Sequence, residues 1–306
     1  MPSWPGPTMA VVGALFALFS LGASAAALQG AIRVADPALL AWLAILGGVL
    51  FVAGLVYVAV RQLRVRRHLP PERYRGPAIP LLLLLVLVLA TILTIPFTAD
   101  AAALVLGEGE LTFLGALVLL TATQAALLTV SWLLVFLPGA LKALPAFPGP
   151  RPVAAIRAGL GWGAAAWLGS SVLAAGIAWA LERAGFVVEP QTAEQAIAVV
   201  EPWVVIVAIV ILAPVAEEVF FRGIVFNAWL RERGRRWAFI GSAVLFAVIH
   251  VSVVALVPIL LLGLALAWIY ARTGSLLAPI VMHATVNGIS VALALLVRFE
   301  VIAFPA

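Results

Sequence analysis

Along most of the chain apolar residues follow one another with no strand or amphipathic period. Stretches of about 20 apolar residues can each cross a bilayer. Such stretches lie near 9–28, 38–60, 79–97, 111–137, 160–181, 202–224, 237–257, 258–271 and 276–297. They predict an all-α polytopic membrane protein of eight or nine transmembrane helices. The eighth stretch is short, and is expected either as a tilted span or as a continuation of the seventh around Pro258. The first ends in small residues, as a signal peptide does. Met1 to Thr8 nevertheless holds no Lys or Arg, so it reads as a retained helix.

The polar stretches between spans set the orientation. Arg61, Arg64, Arg66, Arg67, Arg73 and Arg75 crowd 61–75, Lys142, Arg151 and Arg157 lie in 139–157, and Arg231, Arg233, Arg235 and Arg236 in 231–236. With Arg272, all fall on one side if every span crosses. The other side holds Arg33, Arg183 and Arg298 with Asp100, Glu108, Glu110, Glu189, Glu194 and Glu201. Cytoplasmic loops of membrane proteins are the arginine-rich ones, so the first side is expected inside and, after nine crossings, the C-terminus outside. Pro145, Pro148, Pro150 and Pro152 make 145–152 a stiff connector. It divides the chain into accessory spans, 1–152, and a second half, 153–306, that carries the polar chemistry.

Composition agrees with this reading. The 306 residues are 65% hydrophobic and 10% charged, against about 25% charged in soluble domains. There is no cysteine, which removes disulfides and thiolate metal sites. The net charge of +5 is accounted for by the basic loops and implies no nucleic-acid partner. The expected surroundings are a lipid bilayer, in a plasma membrane that the Ala-, Arg- and Gly-rich, lysine-poor composition suggests is prokaryotic. No internal repeat is visible, which weighs against a transporter of two related halves. In the first half Thr121, Thr123, Gln124 and Ser131 are the most polar span positions, and are read as helix–helix contacts.

The candidate chemistry lies in three places. Glu217-Glu218-Val219-Phe220-Phe221-Arg222 puts three charges at the end of an apolar run. Charges at that depth are costly unless they pair or line a wet cavity. Glu218 and Arg222 are four apart on a helix and can pair, whereas Glu217 points about 100° away and is left available. His250 follows Phe246 by four residues, and Asn287 follows His283 by four. Counted from the arginine-rich ends, Glu217 and His250 lie at matching depth and His283 close to it, so all could meet in one cavity reached from the cytoplasmic half.

These residue types suit water activation. Glu217 would take a proton from water, His250 would orient that water, and His283 with Asn287 would donate to a developing oxyanion. Equally, Glu217, His250 and His283 could ligate a divalent metal such as zinc. Two other classes remain: a catalytically silent peptide-binding or immunity protein, and a proton-coupled transporter using these residues as a relay.

Glu217-Glu218-x-x-x-Arg222, Phe246-x-x-x-His250 and His283-x-x-x-Asn287, in that order, resemble the motifs of the CAAX-processing and bacteriocin-processing (CPBP, or Abi) intramembrane proteases. Their best-known members are the type II CAAX prenyl endopeptidases. The resemblance covers about 155–300. It implies a helical membrane fold, a site facing the cytoplasm, and a peptide or membrane-protein substrate. It also implies Glu217 as general base, His250 as its partner, His283 and Asn287 as oxyanion stabilisers, and Glu218, Arg222 and Phe246 in support. The family is widely described as metalloproteases, but a glutamate-activated water needs no metal, and no required cofactor is the preferred expectation. Bacterial members are also linked to peptide maturation, bacteriocin self-immunity and scaffolding, so a prenylated substrate is not implied.

Overall fold

The computed structural model describes residues 6–16, 37–97, 113–141, 147–186, 200–250, 252 and 254–302. The described residues are helical and contain no strand. Nine helices can be followed: α1 (Gly6–Phe16), α2 (Pro37–Arg66), α3 (Ile79–Thr94), α4 (Phe113–Ser131), α5 (Pro152–Arg183), α6 (Pro202–Arg233), α7 (Arg235–Val248), α8 (Leu256–Thr273) and α9 (Leu277–Arg298). All but α1 and α7 are long and apolar enough to cross a membrane. The polytopic all-α expectation holds. Residues 17–28 of the first expected span lie outside the described residues.

Local sequence explains where the helices start and stop. Pro80, Pro152 and Pro202 stand in the first turns of α3, α5 and α6, where a missing N–H costs nothing. Gly274, at φ +63°, closes α8 in a left-handed conformation open to glycine, and its N–H caps the carbonyl of Tyr270 at 2.9 Å.

One boundary corrects the sequence reading. The seventh stretch, expected to span 237–257, stops at Val248, and a separate helix starts at Leu256. The eighth span is therefore neither the short one nor a continuation around Pro258. At 1.5 Å per residue α7 is about 21 Å long and α8 about 27 Å, both under the roughly 30 Å hydrocarbon core. The apolar run hid the break between Val248 and Leu256, because a residue buried in protein and one facing lipid read alike.

The arginine-bearing segments do lie together. Arg66 pairs with Glu232 at 3.0 Å, the Arg75 N–H donates to the carbonyl of Ala140 at 3.1 Å, and Ser275 Oγ donates to the carbonyl of Pro148 at 2.7 Å.

α5 packs along α9 and α8, α7 along α8, and α3 along α4. The α5–α9 contact is close because Gly159 and Gly163 present no side chain. A Cβ on Gly159 would lie 2.7 Å from Val281 Cβ, and one on Gly163 2.6 Å from Thr285 Cβ. Small residues four apart let membrane helices approach in this way, where no hydrophobic effect drives them together. α6 threads the middle of the bundle, against α4, α7 and α9. It is broken twice by π-helical turns, Ile206–Leu212 and Val219–Phe226, on either side of the short α-helical segment Ala213–Glu218. Such bulges concentrate at functional sites because they re-aim side chains.

Candidate active site

The expected pairing on α6 is present. Arg222 Nη1 donates to Glu218 Oε1 at 2.9 Å, and both side chains are fully buried. Arg222 Nη2 donates to the carbonyl of Gly263 on α8 at 2.9 Å. The guanidinium also lies over the ring of Phe246, 4.6 Å from its centroid. Phe246 is itself 0% exposed and packs edge-on against Phe221 at 5.2 Å. It touches His250 at 4.8 Å and His283 at 5.6 Å between ring centroids. One phenyl ring therefore spaces the two histidines and screens the ion pair.

His283, on α9, brings Nδ1 to 3.0 Å from the same Glu218 Oε1. A carboxylate oxygen only accepts, so Nδ1 carries the proton and Nε2 is the free nitrogen. His250 lies in the turn just past α7. Its Nδ1 lies 2.6 Å from the carbonyl oxygen of Phe246, which again makes Nδ1 the donor and frees Nε2. That nitrogen faces Glu217 Oε2 at 3.9 Å. Glu217 Oε2 is buried and accepts no hydrogen bond from the described residues. Two carboxylates from neighbouring positions of one helix thus have different work. Glu218 is held through Oε1 by both Arg222 and His283, while Glu217 is open toward His250.

Asn287 is placed differently from the sequence reading. Its Nδ2 donates to the carbonyl of Ile209 on α6 at 2.9 Å. In the π-turn the Ala213 N–H reaches back to Ala208. The next such bond would join residue 214 to Ile209, and Pro214 has no N–H to make it. Asn287 fills that place, so one of its two amide protons is spent on the backbone.

Glu217, His250, His283 and Asn287 line one cavity of about 570 Å³. Thr123 and Gln124 of α4 and Ser170 and Ser171 of α5 also line it. The sequence reads the α4 pair as helix contacts and gives the two serines no role. Their signal was present as polarity within a span, but nothing in one helix tells which neighbour its polar face meets. Trp167 Nε1 donates to Ser290 Oγ at 3.1 Å, joining α5 to α9 across the same wall.

The cavity runs away from the arginine-rich end. On α6 it is lined by Ile209, Ala213 and Glu217, and on α9 by residues from His283 out to Ala294. On the arginine side, Phe220, Phe221, Ile224, Leu266 and Ile269 fill the bundle at no more than 1% exposure. A cavity reached from the cytoplasmic half was expected. Glu217, His250 and His283 do share one cavity, but depth along the chain does not say on which side the core is packed shut.

The side chains do not arrange themselves as a metal site. Among the described residues no three of His, Asp and Glu converge to hold an ion. In the trio Glu217, His250 and His283, His283 turns Nδ1 to Glu218 and Glu217 Oε2 approaches His250 Nε2 to 3.9 Å.

Comparison with known proteins fits the site. A family model described as Type II CAAX prenyl endopeptidase Rce1-like matches residues 199–289, which include all three motifs. YdiL of Bacillus subtilis (strain 168), provisionally named a membrane peptidase, is 32% identical over 77 residues, 25% of this chain and 32% of that protein. YxdF of Lactococcus lactis subsp. lactis (strain IL1403), a UPF0177 protein, is 31% identical over 78 residues, 25% of this chain and 42% of that protein. The chain thus matches less than half the length of either relative. No solved structure matches. By the motifs of its second half, the matching family model and these two relatives, residues 199–289 are similar to the type II CAAX prenyl endopeptidases and their CPBP relatives.

Proposed function

We propose that the protein is a membrane endopeptidase that hydrolyses a peptide bond of a membrane-associated substrate with water activated by Glu217 and His250. The observation that carries this reading is the gap between Glu217 Oε2 and His250 Nε2. At 3.9 Å it is too long for a hydrogen bond, yet one water can lie about 2.8 Å from both. Glu217 takes a proton as the water oxygen attacks the carbonyl carbon, and returns it to the departing amine as the C–N bond breaks. The free Nε2 of His250 holds the second hydrogen of that water. His283 Nε2 donates to the oxyanion in its doubly protonated form, whose charge Glu218 offsets at 3.0 Å. The unspent amide proton of Asn287 is a second donor. No step requires a metal.

The substrate reaches the site from the face opposite the arginine loops, since the lining runs that way and the arginine side is packed with phenyl and aliphatic side chains. By the positive-inside rule that face is extracytoplasmic, the reverse of the side the family resemblance implies.

Comparative peptidomics of cells carrying wild type or Glu217→Gln tests the reading. Peptides ending at one defined bond should accumulate only with wild type. Identical peptide populations in the two strains would remove the assignment.

A further inference from the structure

Away from the active site, a second concavity of about 260 Å³ sits at the arginine-rich end. Its walls are Leu63 and Arg64 from the last turn of α2, with Arg67 just past its end and Arg75 from the connection to α3. Its floor is the turn Pro138, Gly139 and Ala140 that follows α4. Three guanidinium groups surround one hollow, and among the described residues no carboxylate lines it. Their neighbours are committed elsewhere. Arg66 is held by Glu232 and by the carbonyl of Gly76 at 2.8 Å, and Arg73 reaches the carbonyl of Arg231. Arg64 makes no hydrogen bond or ion pair with the described residues. Arg67 spends Nε on His68, and Arg75 spends Nε on the carbonyl of Leu69 at 2.9 Å, which leaves the terminal nitrogens of both forks available. Each guanidinium carries five donors in a planar fork suited to phosphate oxygens. Three like charges facing one hollow repel, and a bound anion relieves that repulsion.

The surroundings say which anion. The hollow lies where α2 and α4 end, at headgroup depth on the side expected to face the anionic cytoplasmic leaflet. Directly along the π-helical turn Trp132–Phe136 that continues α4, Trp132 and Leu133, with Leu137 just beyond, are exposed, at 59%, 52% and 67%. Such a row of apolar side chains on a spanning helix is a seat for an acyl chain. We propose that Arg64, Arg67 and Arg75 bind the phosphate of an anionic phospholipid whose chains lie along α4. Because Arg66 and Arg73 fasten the same segment to the end of α6 at Glu232 and Arg231, bound lipid braces the helix that carries Glu217.

The test uses the full chain, delipidated in a neutral detergent, with unfolding temperature as the readout. Phosphatidylglycerol should raise Tm in a concentration-dependent way, phosphatidylcholine should not, and added salt should shrink the shift. The triple variant Arg64→Gln, Arg67→Gln, Arg75→Gln should respond to the two lipids alike. Arg64→Gln alone, which breaks no contact with the described residues, should reduce the shift if the triple variant fails to fold. Inorganic phosphate is the control for a soluble anion. If it reproduces the whole shift, the lipid assignment is overturned. Equal shifts from the two lipids in wild type, or an unchanged response in both variants, overturn the site itself.

Discussion

Asn287 Nδ2 lies 2.9 Å from the carbonyl oxygen of Ile209, the acceptor that Pro214 leaves without a backbone donor. A side chain on α9 thereby completes the hydrogen bonding of α6 at the cavity wall. Asn287→Ala should cost stability, about 1–3 kcal/mol for a carbonyl left unpaired, besides any effect on turnover. Pro214→Ala returns an N–H to position 214, so Asn287→Ala should be less costly in that background. Thermal unfolding of the two single variants and the double variant measures the difference. Equal costs in both backgrounds would contradict the link.

Glu218 and Arg222 are fully buried and hold each other. Arg222→Ala leaves a buried carboxylate with only His283, which should cost about 3–5 kcal/mol. Glu217→Gln removes a carboxylate that accepts no hydrogen bond at Oε2, and should leave unfolding near wild type. Detergent-solubilised protein gives both Tm values. Equal, wild-type-like stability of both variants would contradict this division between support and chemistry.

Access from the face opposite the arginine loops can be probed with single cysteines, since the chain has none of its own. Ser171→Cys lies on the cavity wall and should react with an impermeant thiol reagent added outside intact cells. Arg233→Cys, at the arginine-rich end, should react only after the cells are opened. The reverse pattern would put the cavity on the cytoplasmic side.

Much of this architecture is legible without coordinates. A transmembrane span needs only length and apolarity, both visible in one dimension, and an i,i+4 ion pair such as Glu218–Arg222 needs only helical spacing. The break between Val248 and Leu256 was hidden because the chain around it is as apolar as the helices it separates. The Ile209–Asn287 bond was hidden because it depends on a π-turn, which shifts the register upstream of Pro214. Thr123 and Gln124 were visible as polar residues but not as cavity wall, because that depends on which helices become neighbours.

No trio of ligands converges among the described residues, which leads to a test of composition. Active protein, purified without chelator, should carry no stoichiometric zinc or other transition metal by elemental analysis, and chelator should leave its rate unchanged. Stoichiometric metal that His250→Ala and His283→Ala both release would show that those side chains rearrange into ligands.

The most direct measurement is the cleavage rate of purified Glu217→Gln on a substrate found by peptidomics, beside its Tm and its substrate affinity. Glutamine keeps the shape at 217 but cannot take a proton from water. The expected result is a loss of about 100-fold or more in rate, with Tm and affinity near wild type. Cleavage at the wild-type rate would contradict the assignment of Glu217 as the base.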